Sequence, residues 1–380
     1  MEPLKLALIG CGKVAVKHLK AIRDNKQDIR LCAVVDNRLK AARELLSTTG
    51  FLRPAEGEIP IFPNIDLLLA EQTPDIVAIT TPSGTHARLA KAAVSAKAHV
   101  LVEKPMTLDL AAADELLRLA ESQRVKIAVG HIYRFFPLVQ ALAEDLHSGR
   151  FGRLLGGNVK VRWGHDQAYY EQGAWRGTWE QDGGALMNQT IHALDLMTWL
   201  LGSPVTDVFG WIDQQVHSIE SEDTGYALLR LQNGSYCQVE GTTASDPERQ
   251  EAAFNILCTD GEIHAGLVAG RSSFQVRDRR GRCLGGRYLR SFIAKTWREE
   301  GIKGFIRLKN PHSGLYRDFI RSIRQDRPPL ADGRSGRAAV ELVLAIYRSA
   351  LENRPVQLPL GTFNLIEMKG FFADSVEPTV

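Results

Sequence analysis

The chain has 380 residues, 44% of them hydrophobic, and a formal net charge of +3. That length holds two domains with separate cores, and the composition excludes a disordered polar chain. The small charge argues against nucleic acid as a partner, no apolar run reaches bilayer-spanning length, and the five cysteines (Cys11, Cys32, Cys237, Cys258, Cys283) contain no C-x-x-C pair, which suits a reducing compartment and gives no metal signature.

The apolar run 4–9 meets a glycine turn at once, so it reads as a first strand and not as a signal peptide, with the cytoplasm as the expected location. It ends in Gly10-Cys11-Gly12-Lys13-Val14-Ala15; a helix follows to about residue 24, and a second strand over 31–35 closes on Asp36. Strand, G-x-G-x-x-A, helix, strand and terminal acid fit within about 30 residues, as a dinucleotide-binding βαβ unit requires. Gly10 permits the tight turn, Gly12 lets backbone approach a pyrophosphate, and Ala15 lets the helix pack close to the strand. Lys13 and Val14 open the helix, whose N–H groups and partial positive charge suit phosphate. Asp36 would accept hydrogen bonds from the adenosine ribose hydroxyls and so favours NAD over NADP; Arg38, two residues on, keeps NADP open. An ordinary tight turn would share the same glycines.

The alternation continues with a buried strand over 75–79, a hydroxyl-rich turn over 80–86, a helix over 87–96 and a strand over 99–102. Glu103-Lys104-Pro105 follows, then a helix over 109–122, a strand over 126–129 and the turn 130–137. Strands alternating with helices argue for a parallel, doubly wound sheet whose ligands sit at the carboxyl ends of its strands. Thr81, His86, Glu103, Lys104, Tyr133 and Arg134 fall at or just after such ends; all but Tyr133 are candidate cofactor contacts, and Lys104 and Tyr133 are candidate substrate contacts. A lysine directly after a buried strand stands where a nicotinamide ring would lie, and Pro105 restricts it. For the tripeptide taken alone, a solvated lysine paired with Glu103 is the plainer reading.

Residues 1–130 thus read as an α/β Rossmann domain, and 131–380 as an α+β substrate-binding and oligomerisation domain with a large, mainly antiparallel sheet. Strands are expected over 154–163, 205–214, 224–232, 235–243 and 252–259, with Asn233-Gly234 and Asp260-Gly261 as hairpin turns. One helix is expected over 182–202, opened by Asp182-Gly183-Gly184 and stopped by Gly202. Asn188, His192 and Asp195 line up on one side of it. Such a stripe either satisfies itself inside the core or faces a polar ligand. The loop 163–180 carries Trp163, Tyr169, Tyr170, Trp175, Arg176 and Trp179, suited either to stacking a sugar or base with Arg176 on an anion, or to an interface arm. Residues 271–309 hold twelve Lys/Arg against three Asp/Glu and read as a solvated face. Helices are expected over 312–324 and 334–352, then an extended end over 355–359 and a tail from Gly361.

With these residues assembled, the chain resembles the Gfo/Idh/MocA oxidoreductases, two-domain NAD(P)-dependent enzymes named for glucose–fructose oxidoreductase and inositol dehydrogenase. The resemblance rests on Gly10 to Ala15, on Glu103-Lys104-Pro105, and on Gly183-Gly184 leading to His192-Ala193-Leu194-Asp195, and it covers nearly the whole chain. It implies a homodimer or homotetramer formed through the second-domain sheet. It also implies that Lys104 and His192 are the catalytic pair and that the position of Asn188 belongs with them. Many members carry aspartate there. Asparagine cannot carry charge, which shifts proton transfer toward Lys104, and the same variant occurs in members acting on UDP-N-acetylhexosaminuronic acids. A sugar dehydrogenase is therefore the expectation, with inositol or free sugar as other substrates; an NAD-dependent glycosidase and a cofactor-sensing regulator are other uses of the same fold.

Overall fold

A computed structural model describes residues 2–51, 58–301 and 310–373. The chain forms two compact units. Met1–Thr107, Ala111–Phe136 and Glu299–Arg337 make the first; Leu108–Leu110, Pro137–Arg298 and Ala338–Val380 make the second.

The first unit is built on β1 (Leu4–Ile9), β2 (Ile29–Val35), β3 (Ile61–Phe62), β4 (Ile76–Ile79), β5 (His99–Val102) and β6 (Ile127–Val129). They pair in the order β3-β2-β1-β4-β5-β6, and every pair is parallel. The strands are apolar throughout because both faces are covered. Leu6, Leu8 and Val34 enter one core while Ala7, Ile9 and Ala33 enter the other, following the two-residue period of a strand. The winding reverses between β1 and β4, so the crevice that such a sheet offers a ligand opens at their carboxyl ends.

Residues 310–337 were expected in the second domain, yet they pack into this first unit. Helix Pro311–Arg324 lays Leu315, Tyr316, Phe319 and Ile320 on the Leu6 and Leu8 side of the sheet. Their spacing gives one apolar face. Such a face states that the helix must be covered but not by which sheet.

The second unit holds β7 (Leu154–Arg162), β8 (Val205–Asp213), β9 (Thr224–Leu231), β10 (Tyr236–Thr242), β11 (Glu251–Cys258), β12 (Gly261–Val268), β13 (Arg271–Asp278) and β14 (Val356–Gln357). The order is β13-β12-β11-β7-β10-β9-β8-β14; β7 and β10 run parallel and the other neighbours antiparallel. The expected large, mainly antiparallel sheet is present, extended by β12 and by β13, which opens the basic run. As an edge strand β13 exposes Arg271 to solvent, a charge that discourages pairing with another chain. Helix Gly285–Glu300 follows, and residues 302–309 of the basic run lie outside the described residues.

The expected single helix over 182–202 is two pieces: Leu186–Thr190 is π-helical, and Ile191–Leu201 is α-helical and closed by Gly202 at φ 60°. It lies close on the sheet because Gly225 faces Leu186, where a Cβ would stand 2.6 Å from Leu186 Cδ1. The opposite sheet face exposes Trp211 (55%), Tyr226 (46%), Tyr236 (48%) and Leu257 (51%). In the tail, Leu365 and Met368 are buried and Asn364 with Glu367 forms a capping box; residues 374–380 lie outside the described residues. Among the described residues no helix is long and apolar enough to cross a membrane.

Candidate active site

The first cluster is at the carboxyl edge of the parallel sheet. Gly10 turns the chain out of β1 at φ +94°, its N–H donating to the Val35 carbonyl at 2.8 Å; a Cβ there would stand 2.9 Å from the Thr80 carbonyl. A Cβ on Gly12, by contrast, would meet nothing within 4 Å, so the turn is open on that side. Lys13 is exposed, and helix Ala15–Asp24 starts after Val14 with no side chain capping it. Asp36 is buried at the end of β2, where Oδ2 accepts from the Cys11 N–H and Oδ1 from the Arg38 N–H, each at 2.8 Å. The Arg38 guanidinium is mostly exposed, 3.7 Å from Oδ1. Burial and Asp36 together push the Cys11 thiol up to about 12, leaving it unreactive. Asp36 braces the glycine turn through these two backbone N–H groups. The open face at Gly12, the uncapped helix start and this carboxylate fit the pyrophosphate and ribose of NAD.

Beyond β4, the Thr81 and Thr85 hydroxyls hydrogen-bond at 2.7 Å. His86 is 1% exposed, with Nδ1 2.8 Å from the Pro105 carbonyl and Nε2 2.9 Å from the Thr81 carbonyl. Burial lowers its proton affinity. Its ring thus ties together the loops after β4 and β5. Arg134, another candidate cofactor contact, is buried and donates Nη1 to the Leu330 carbonyl at 2.9 Å, while Tyr133 is half-buried near Phe136.

Glu103 is also buried. Its Oε1 lies 2.9 Å from His18 Nε2 and 3.3 Å from His312 Nε2, and the Lys104 backbone N–H points at Oε2 from 3.4 Å. Gly130 leaves room for that carboxylate, since a Cβ there would come 2.8 Å from Oε2. The two histidines hold the Glu103 carboxyl well below the usual range against the opposing effect of burial. Neither histidine stands out in sequence: His18 looks like part of an ordinary helix, and His312 comes from the returning segment.

The second unit carries its own cluster on the π-helical turn. Asn188 donates Nδ2 to Asp182 Oδ1, and its Oδ1 accepts from Gln189 Nε2 at 3.1 Å. Gln189 Nε2 also lies 3.2 Å from His165 Nε2, and His165 stacks on Tyr169 at 3.7 Å. Arg176 lies over both the Tyr169 ring (4.2 Å) and the Trp175 ring (4.4 Å), with Nη1 donating to the Tyr169 hydroxyl at 2.6 Å. Of the other loop aromatics, Trp179 is core, edge-on to Tyr347, and Tyr170 is buried against Thr243. His192 is half-buried and Asp195 is 2% exposed. The turn is anchored by Glu222, which sequence reasoning missed: Oε1 accepts from the Leu186 N–H and the Tyr347 hydroxyl, each at 2.8 Å. Burial raises the Glu222 carboxyl to about 8.

Residues 4–131 match the model of an oxidoreductase family with an NAD-binding Rossmann fold, and residues 139–264 match the GFO/IDH/MocA C-terminal domain. The chain belongs to the Gfo/Idh/MocA oxidoreductase family. It is therefore an NAD-binding oxidoreductase, and the resemblance read from its motifs holds. Among the relatives of this family, it is 24% identical to the myo-inositol 2-dehydrogenase of Thermotoga maritima, over 93% of this chain and 98% of that one. It is 26% identical to the UDP-N-acetylglucosamine 3-dehydrogenase of Acidithiobacillus ferrooxidans, covering 93% and 98%. The WlbA dehydrogenase of Bordetella pertussis, crystallised with NADH and UDP-GlcNAcA, superposes with a TM-score of 0.79 at 29% identity, covering 95% of this chain and all of that one.

Proposed function

We propose that this enzyme moves hydride between NAD and a hydroxyl-bearing carbon of an anionic, nucleotide-linked sugar, a UDP-N-acetylhexosaminuronate or a close relative. The observation that carries the reading is Lys104, set directly after β5 in the same parallel sheet whose β1 end bears the open glycine turn. The near full-length likeness to a dehydrogenase solved with NADH and UDP-GlcNAcA supports the substrate class. Arg176, which lies over two aromatic rings, is the residue suited to an acidic group.

NAD, when bound, supplies the hydride acceptor. Lys104 hydrogen-bonds the reacting oxygen, takes its proton and stabilises the alkoxide. A lysine with its ordinary pKa of about 10.4 is a poor base at neutral pH, so His192, of a type that titrates near 6.5, shares the proton. Asn188 carries no charge; its hydrogen bonds to Asp182 and Gln189 fix its amide to orient the substrate. Asp36 selects NAD over NADP. The exposed aromatic face of the second-unit sheet supports a homodimer or homotetramer formed through it, and the cysteine usage supports cytoplasmic residence.

The test is NADH formation over a panel of UDP-sugars, inositols and free hexoses. UDP-N-acetylhexosaminuronates should give the highest kcat/KM. A higher value for myo-inositol would replace this reading with the one that the Thermotoga relative favours, and cleavage of a glycoside without net NADH would replace it with a glycosidase.

A further inference from the structure

Helix Gly285–Glu300 carries apolar side chains on two neighbouring rows, and only one row is covered. Tyr288 and Thr296 are buried; the Tyr288 hydroxyl donates to Asp145 Oδ2 at 2.6 Å, and its ring stands edge-on to Phe274 of β13. These two residues, eight apart, mark the row that rests on the second unit. The next row round the helix is Leu289, Ile293 and Trp297, at i, i+4 and i+8, and these stand 52%, 46% and 64% exposed. A single exposed apolar side chain is ordinary; three in register along about 12 Å of one helix make a continuous stripe. The charge around the stripe has one sign. Residues 271–298 hold nine Lys/Arg and one acid, Asp278, which Arg282 engages at 2.7 Å. Arg287, Arg290 and Arg298 are exposed on the outward side of the helix. Composition alone makes this run a solvated face; the apolar stripe within it does not fit that description.

A second copy of the chain is a poor cover for this patch, because pairing it with itself sets arginines against arginines. Nucleic acid has no use for the leucine and isoleucine. An aliphatic edge that ends in tryptophan, with arginines beside it, is the make-up of a helix lying in the headgroup layer of an anionic bilayer. The apolar edge enters the acyl boundary, the indole sits at the interface, and the arginine stems reach outward to lipid phosphates. The helix is not long and apolar enough to cross a membrane, so it lies on one. We propose that Leu289, Ile293 and Trp297, with the arginines beside them, form a docking surface for an anionic phospholipid bilayer, which holds the enzyme at a membrane surface without a spanning segment. The proposal does not depend on which sugar the enzyme oxidises.

Co-sedimentation of the full chain with lipid vesicles tests it. Wild type should bind vesicles of equal parts phosphatidylcholine and phosphatidylglycerol, bind pure phosphatidylcholine about tenfold more weakly or worse, and release as salt rises. Arg290→Gln with Arg298→Gln should weaken binding by about fivefold for each charge removed. Leu289→Ser with Ile293→Ser should weaken it by about tenfold or more, with NADH affinity as the check that the protein is folded. Equal binding to the two kinds of vesicle, or variants that bind as wild type does, overturns the proposal. Fluorescence gives a reading that leaves the stripe intact. Lipids with brominated acyl chains should quench part of the wild-type tryptophan emission, and Trp297→Phe should lose that part. Without vesicles, acrylamide should reach Trp297, again read as the difference from Trp297→Phe. A Trp297 closed to acrylamide means that the chain itself covers the stripe. A sedimenting mass in free solution that falls with Leu289→Ser and Ile293→Ser means that a second copy does. Either result overturns the proposal.

Discussion

Glu103 and Glu222 are both buried carboxyl groups packed beside a glycine, and they are held in opposite charge states. Glu103 faces two imidazoles and stays ionised well below the usual carboxylate range. Glu222 faces one backbone N–H and one phenol, and burial lifts it to about 8, so it is protonated at neutral pH. Depth does not separate them; the chemistry of their partners does. The ionised one stands next to Lys104 at a strand end, and the neutral one anchors the π-helical turn that carries Asn188.

Reactivity should follow the charged site. Lys104→Ala is expected to reduce turnover by roughly 10²- to 10⁴-fold while NADH affinity, followed by fluorescence, stays within a few-fold. Wild-type turnover in this variant would remove Lys104 from the chemistry. Glu103→Gln should destabilise the first unit by about 3–5 kcal/mol at neutral pH, because it takes the ionised carboxylate away from the two buried rings that face it. A folded-state value below the unfolded one gives stability that is present above pH 4.5 and is lost as pH falls through the folded value, so urea midpoints of wild type and variant should converge in acid. Parallel curves at every pH would deny the ion pair.

Gly12→Ala separates binding from folding. With nothing within 4 Å of the added carbon, melting should not change, while NADH affinity should fall about tenfold or more as the methyl occupies the pyrophosphate approach. A loss of melting temperature with unchanged affinity would move the binding edge elsewhere. The smallest effect is expected for Glu222→Gln, with the opposite sign to Glu103→Gln. A carboxyl raised above its unfolded value contributes stability below pH 4.5 that is lost as pH rises toward about 8. The amide variant escapes that loss. Its melting temperature should exceed wild type by a few degrees near pH 8, about 2–4 °C for each kcal/mol in a unit of this size, and match it in acid. Equal melting at both pH values would mean that Glu222 is ionised in the fold.

Five strands of the parallel sheet were legible in the sequence because each is a short apolar run, and β1, β2, β5 and β6 end at a glycine or acid; the two-residue β3 is too short to show a pattern. Gly10, Gly12, Asp36 and Lys104 all fall where those strand ends place them. Asn188 and His192 were legible as a stripe, but the π-helical turn beneath Asn188 was not, since it depends on how closely Leu186 and Thr190 approach the sheet at Gly225 and Gly241. His86 and Arg134 read as ligand contacts from position alone, yet their polar atoms reach backbone carbonyls of neighbouring segments. The His18–Glu103–His312 cluster escaped notice because its members carry no shared spacing. Strand β13 was masked by the charges that protect a sheet edge, and β12 by its two glycines and lack of strict alternation.

His312 and Glu103 are 209 residues apart in the chain, and that separation sets an order on synthesis. Domains form largely as their residues leave the ribosome. Here the glycine turn, His18, Asp36 and Lys104 emerge first, but His312, the second imidazole on Glu103, arrives only after the strands β7 to β13 have been made. A nascent chain stopped anywhere before residue 310 holds Glu103 with only one of its two imidazole partners, so the parallel sheet is made early but its buried polar cluster is completed late.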